Sequence, residues 1–78
     1  MTYLLDEKES SVYKKIVQGV SKHGWNECVG YEDLTDEETQ IALFLQLNGL
    51  IEPVIDDNND CLGWTKNAKK APLVKLSN

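Results

Sequence analysis

The residues best suited to chemistry in this chain are a short run of oxygen donors and three soft metal ligands. Asp56, Asn58 and Asp60 alternate as the first donors of a calcium-binding loop do. Such a loop needs glycine at its sixth position and a bidentate glutamate at its twelfth. Cys61 and Asn67 stand there instead, so Asp56 to Asp60 reads as a hairpin tip. Cys28 and Cys61 are 33 positions apart and form no close pair. With the lone His23 they would need a carboxylate to complete a four-ligand zinc site. Two reduced structural thiols are the expectation. No serine or cysteine sits at a nucleophile elbow, and no phosphate loop or dinucleotide glycine pattern is present. The chain is therefore expected to be no enzyme and to hold no catalytic residue, metal or cofactor.

Charge offers a different kind of chemistry. The formal net charge is −5, and all eight basic residues are lysines. Between Gly24 and Thr65 stand ten acids, Glu27, Glu32, Asp33, Asp36, Glu37, Glu38, Glu52, Asp56, Asp57 and Asp60, with no lysine or arginine among them. One reading is a solvated surface that serves solubility. The other is an acidic contact face whose charge steers a basic protein partner. The candidate face comprises Glu37, Glu38, Thr39, Ala42, Gln46, Asp56, Asp57, Asn58, Asn59 and Asp60. Lys14, Lys15, Lys22, Lys66, Lys69 and Lys70 form a candidate basic patch, although ordinary helix surface is the preferred reading of them.

The elements that must position these groups are compact. A length of 78 residues, with 41% hydrophobic and 27% charged, fits one folded domain over 1–78 and argues against disorder. Neither a run of about 18 apolar residues nor a signal peptide in MTYLLDEKE is visible. No membrane association and an intracellular location (cytoplasmic, or nuclear in a eukaryote) are expected. Thr2–Leu5 reads as a short strand or packed arm. Asp6 and Glu9 match a capping box, and Val12, Tyr13, Ile16, Val17 and Val20 line one face of a helix over about 7–23, stopped at Gly24. Trp25 is expected to fold back as a core anchor. For residues 25–34 the preferred reading is a short strand over Glu27–Val29 with one helical turn at Tyr31–Leu34; a second short helix capped by Asn26 is the alternative.

Thr35 and Glu38 match a second capping box, which opens a helix to about Asn48, and Gly49 stops it. On this helix Ile41, Leu43, Phe44, Leu45 and Leu47 make the wide buried arc, and Glu38, Thr39, Ala42 and Gln46 the exposed one. Ile41, Phe44, Leu45, Ile16, Val20 and Trp25 are expected to be buried together. Leu50–Ile55 and Cys61–Thr65 read as a hairpin with its tip at Asn58 and Asn59, Pro53 marking an edge strand. Thr65 then reads as a helix cap and residues 66–70 as a short helix or turn that Pro72 ends, with Leu73, Val74 and Leu76 in an extended tail.

The run LNGLIEPVIDDNNDCLGWTKNAKK resembles the end of the recognition helix, the wing and the following turn of winged helix-turn-helix proteins. It is similar to MarR-type regulators and to the winged-helix domains of an RNA polymerase III subunit. In those families the recognition helix ends in leucine, a small or basic residue, then Gly-Leu-Ile, as Leu47, Asn48, Gly49, Leu50 and Ile51 do here. A lysine-rich turn follows the wing, as at Trp64, Thr65 and Lys66. The quoted run spans 24 of the 78 residues, and between Trp25 and Leu34 an ordinary second helix of the motif is not evident. The resemblance implies an α+β winged helix, a small helical core with a C-terminal β-hairpin wing, working in transcription or another nucleic-acid process.

DNA binding through that helix and wing is disfavoured, because phosphate contacts come from basic side chains and arginine is the commonest reader of guanine. The expected function is a non-enzymatic, acidic protein-interaction or regulatory module with a basic partner. A small DNA-binding transcription regulator, monomeric or homodimeric, is the alternative.

Overall fold

The computed structural model describes residues 2–18 and 29–76. Their element order is β1 (Tyr3–Leu4), α1 (Glu7–Gln18), a 3-10 turn (Tyr31–Asp33), α2 (Asp36–Leu47), β2 (Ile51–Ile55), β3 (Cys61–Lys66), a second 3-10 turn (Ala71–Leu73) and β4 (Val74–Lys75). This is a mixed α+β arrangement of two helices and a small antiparallel hairpin.

Both helices open where the sequence places caps. Ahead of α1 the Glu9 N–H donates to the Asp6 carboxylate at 2.8 Å, and the Asp6 N–H donates to Glu9 at 3.0 Å. Ahead of α2 the Glu38 N–H donates to the Thr35 hydroxyl at 3.1 Å, and the Thr35 N–H donates to Glu38 at 3.0 Å. Each pair satisfies two N–H groups that a helix start leaves without partners. Gly49 follows α2 at φ 75°, a conformation that costs glycine least. Its N–H returns to Gln46 O, and the Leu50 N–H returns to Leu45 O.

The chain then runs straight into β2, which pairs antiparallel with β3 from Ile51↔Lys66 to Ile55↔Cys61, with a register shift between Val54 and Ile55. At the tip the Asp56 carboxylate accepts from the N–H groups of Asn58 and Asp60, each at 2.9 Å, and Asn59 takes φ 68°. On its other edge β3 meets Val29 in a single bridge to Trp64, which leaves β2, with Pro53, at the edge. β1 and β4 pair in parallel, Tyr3 with Val74 and Leu4 with Lys75. Thr2–Leu5 is thus the strand of its two readings, and residues 29–33 follow the preferred reading of a strand residue and one helical turn.

One expectation near the C-terminus fails. Thr65 caps no helix: it lies inside β3 opposite Glu52, and residues 67–70 form a turn closed by the Lys70 N–H on Asn67 O. That turn ends before Pro72, as read, and Pro72 lies in the first turn of the second 3-10 element; proline is tolerated there because its missing N–H is not needed.

Among the described residues the core consists of Leu5, Val12, Tyr13, Ile16, Val29, Ala42, Leu45, Leu50, Ile51 and Trp64. Val12, Tyr13 and Ile16 keep the face read for the first helix. Val20, Lys22, His23, Gly24, Trp25, Asn26, Glu27 and Cys28, and the continuation of that helix to 23, lie outside the described residues.

α2 keeps Leu45 buried and Ile41 packed against the core, as read, but otherwise contradicts its expected phase. Ala42 is fully buried at 0% exposure, whereas Phe44 is 49% exposed, Leu43 is exposed and Leu47 is 86% exposed. At about 100° per residue, Glu38, Ala42 and Leu45 cluster on the inner side and Gln40, Leu43, Phe44 and Leu47 on the outer side. Partners explain the inversion. The Trp64 indole N–H donates to the Gln46 side chain at 2.7 Å, and the Lys15 ammonium pairs with Glu38. The inner polar groups are therefore satisfied, and the small Ala42 allows close approach of its neighbours. Phe44→Ala is expected to change stability by less than about 1 kcal/mol, as for exposed positions, while Ala42→Leu, which overpacks the core, costs about 1–3 kcal/mol. Urea titrations of both variants check the phase; the opposite order of sensitivity would contradict it.

Candidate functional site

The ten residues of the candidate acidic face do not form one surface. Ala42 is buried, Thr39 is half-buried, and Gln46 is tied to the Trp64 indole. Glu38 faces inward and pairs with Lys15. Of the helix residues in that set, only Glu37 is exposed, and its carboxylate accepts from the Lys8 ammonium at 2.8 Å. These expectations followed from the inverted helix phase and fall with it. Asp57, Asn58, Asn59 and Asp60 are exposed at the tip, as read.

The electrostatics of the two ion pairs differ in consequence. Lys15, with the Thr35 backbone N–H, holds the Glu38 carboxyl below the usual glutamate range. Its contribution to stability is present above the ordinary glutamate pKa of about 4.3 and is lost as pH falls through the lowered value. The Lys8 pair is open to water, and the Glu37 hydrogen bond and charge raise the lysine pKa; pairs so exposed add little to stability.

At the tip one oxygen of Asp56 accepts from both turn N–H groups, which accounts for the aspartate by turn formation alone. Among the described residues no group of three or more histidine, cysteine or acidic side chains is arranged to hold a metal ion. Cys61 is a half-buried free thiol.

The candidate basic patch is partly committed. Lys15 serves Glu38. Lys70 lies 5.5 Å from the centroid of the Tyr3 ring, close enough for a cation–π attraction, and its ammonium donates to the Tyr3 hydroxyl at 3.3 Å. Lys14, Lys66 and Lys69 are exposed, and Lys22 lies outside the described residues.

A different surface is left open. Gln40, Leu43, Phe44 and Leu47 follow one another at i, i+3, i+4 and i+7, the spacing of a helical stripe, and all four are exposed. Beside this stripe a groove of 320 Å³ runs between the start of α1 and α2. It is lined by Ile41 and Phe44 together with Asp6, Lys8, Glu9, Glu37 and Gln40. A second hollow of 200 Å³ shares Lys8, Glu37 and Ile41 with it and reaches Val12, so the depression follows the seam between the helices.

The sequence points the leucines and phenylalanine of the stripe to the core, whereas the structure turns them outward. The groove was not visible, because it depends on Lys8 meeting Glu37 across 29 positions. Among the described residues no helix is long and apolar enough to cross a membrane. Compared with protein-family models, curated proteins and solved structures, the chain gives no match.

Proposed function

We propose that this chain is a non-enzymatic winged-helix module that binds a basic protein partner, as an interaction or regulatory component of an assembly in transcription or another nucleic-acid process. In this reading α2 is the helix that a DNA-binding relative would insert into the major groove, and β2–β3 is the wing. The nucleic-acid context rests on the resemblance of Leu47 to Lys70 to winged-helix sequences.

One observation carries the choice of protein over DNA: the outward stripe of Leu43, Phe44 and Leu47 on α2. A helix in the major groove reads base edges mainly through hydrogen bonds, with apolar contact limited to the thymine methyl. Three large apolar side chains supply no such bonds. Residues 24–65 also contain no lysine or arginine to neutralise phosphate. Exposed apolar residues rimmed by polar ones suit a protein interface.

The second reading is DNA binding away from α2 and the tip of the wing. It is favoured by Lys66 and Lys69, which are exposed at the end of β3 and in the turn that follows. A titration with mixed-sequence duplex DNA at about 150 mM salt, the ionic strength of physiological screening, separates the two by amide chemical shifts. No saturable shifts on α2 or the 56–60 tip are expected. Saturable shifts there, tighter than the roughly 10⁻⁴–10⁻⁶ M of non-specific binding, would overturn the protein-binding reading. Shifts confined to Lys14, Lys15, Lys66, Lys69 and Lys70 would put the second reading ahead.

A further inference from the structure

We infer that the groove between the start of α1 and the middle of α2 is the docking site, and that its occupant is an amphipathic helix carrying an apolar anchor flanked by lysine or arginine. This rests on the protein-binding reading above and specifies the surface and the chemistry of the partner.

Two features of the groove select the occupant. Its apolar part is Ile41 and Phe44, half-buried and exposed respectively. At 320 Å³ it stands at the small end of the roughly 300–1,000 Å³ of ligand pockets, a size suited to a single anchoring side chain. Its charged part is three carboxylates, Asp6, Glu9 and Glu37, against one ammonium, Lys8, a net −2. Lys8 is already held by Glu37 at 2.8 Å. Asp6 and Glu9 hold their places through the cap of α1, so the negative rim is built on the start of a helix.

A basic rim on the partner complements this charge and speeds encounter. A second copy of the chain would instead bring −5 against −5. The stripe shares Phe44 with the groove and reaches Leu47 about one turn further along α2, so that a helix laid on the seam can extend its apolar contact beyond the groove, the helix-in-groove mode of recognition.

The test is an NMR titration of the full chain with a synthetic 18-residue helical peptide that has leucine on one face and lysine on the other. Two control peptides replace every leucine by serine, or every lysine by glutamate. Saturable shifts on Glu37, Gln40, Ile41 and Phe44 are expected with the first peptide. Affinity should fall at least ten-fold in Phe44→Ala, in Glu37→Lys and with the serine peptide, and the glutamate peptide should not bind. Binding that is indifferent to Phe44, or equally tight with the serine peptide, would overturn the inference. Shifts confined to Asp57–Asp60 would overturn it too but leave the basic-partner reading standing, whereas no binding of the lysine peptide anywhere would remove both. Sedimentation of the free chain provides a further check: a dimer that Phe44→Ala abolishes would make a second copy the occupant and overturn the inference.

Discussion

Trp64→Ala is expected to destabilise the fold by about 3–5 kcal/mol, the range for removing a large buried aromatic. A domain of this length has roughly 4–12 kcal/mol in total, so the variant should lose a large share of its stability. Trp64 is fully buried and is the largest fully buried side chain among the described residues. It joins elements from four parts of the chain. Its ring meets Tyr31 edge to face, with centroids 4.9 Å apart at 63°. Its indole N–H donates to Gln46 on α2 at 2.7 Å. Its backbone exchanges two 2.9 Å hydrogen bonds with Val29, and across the hairpin it faces Pro53. Trp64→Phe keeps most of the apolar burial but strands the Gln46 oxygen, at a smaller cost of about 1–3 kcal/mol. Urea denaturation followed by circular dichroism reads both. A midpoint for Trp64→Ala equal to that of the parent would show that α2, the hairpin and Val29 do not depend on this side chain.

The parts of the fold that could be read from sequence are those with local causes. Thr35 with Glu38 and Asp6 with Glu9 cap at a spacing of three, and both boxes form. Gly49 ends α2 because the next φ must be positive. The hairpin follows from Asp56 closing its own turn. The first helix showed its buried side because Val12, Tyr13 and Ile16 stand opposite Lys14 and Lys15.

α2 hid its buried side because apolar residues surround most of it. Hydrophobicity alone favours the arc richest in leucine, and that arc includes Leu43, Phe44 and Leu47, which face outward. What turns the helix the other way is non-local: Gln46 meets an indole 18 residues later, and Glu38 meets a lysine 23 residues earlier. The same rotation carries Ala42, and in part Glu38, Thr39 and Gln46, of the candidate acidic face inward and leaves Leu43, Phe44 and Leu47 open. Trp64 was read only as a strand residue, since nothing near it in the sequence reveals Val29 or Tyr31 as neighbours.

Gly63→Ala is the second large expectation, and its cause is backbone crowding. Gly63 is buried and adopts φ 156°, near the limit of the region that disfavours other residues. A Cβ there would stand 2.8 Å from Gly30 Cα and from the Val29 carbonyl carbon, and closer still to the Val29 carbonyl oxygen. These are main-chain atoms, which cannot step aside as a flexible side chain would. Either β3 shifts away from Val29, breaking the Val29–Trp64 bridge, or Val29 leaves the core. Overpacking costs about 1–3 kcal/mol, and a strained φ about 1–3 kcal/mol more. A loss of about 3 kcal/mol is expected, which at about 4–8 °C per kcal/mol for a domain of this size lowers the melting temperature by about 12–24 °C. Gly49→Ala is the comparison. It has a positive φ of 75° but nothing within 4 Å of the added carbon, so it bears only the conformational cost, about 1 kcal/mol. Hydrogen exchange adds a local reading: in Gly63→Ala the amides of Val29 and Trp64 should lose protection before those of α2. Equal melting temperatures for Gly63→Ala and the parent, or a larger drop for Gly49→Ala, would mean that β3 and the Val29–Gly30 backbone do not pack at this distance.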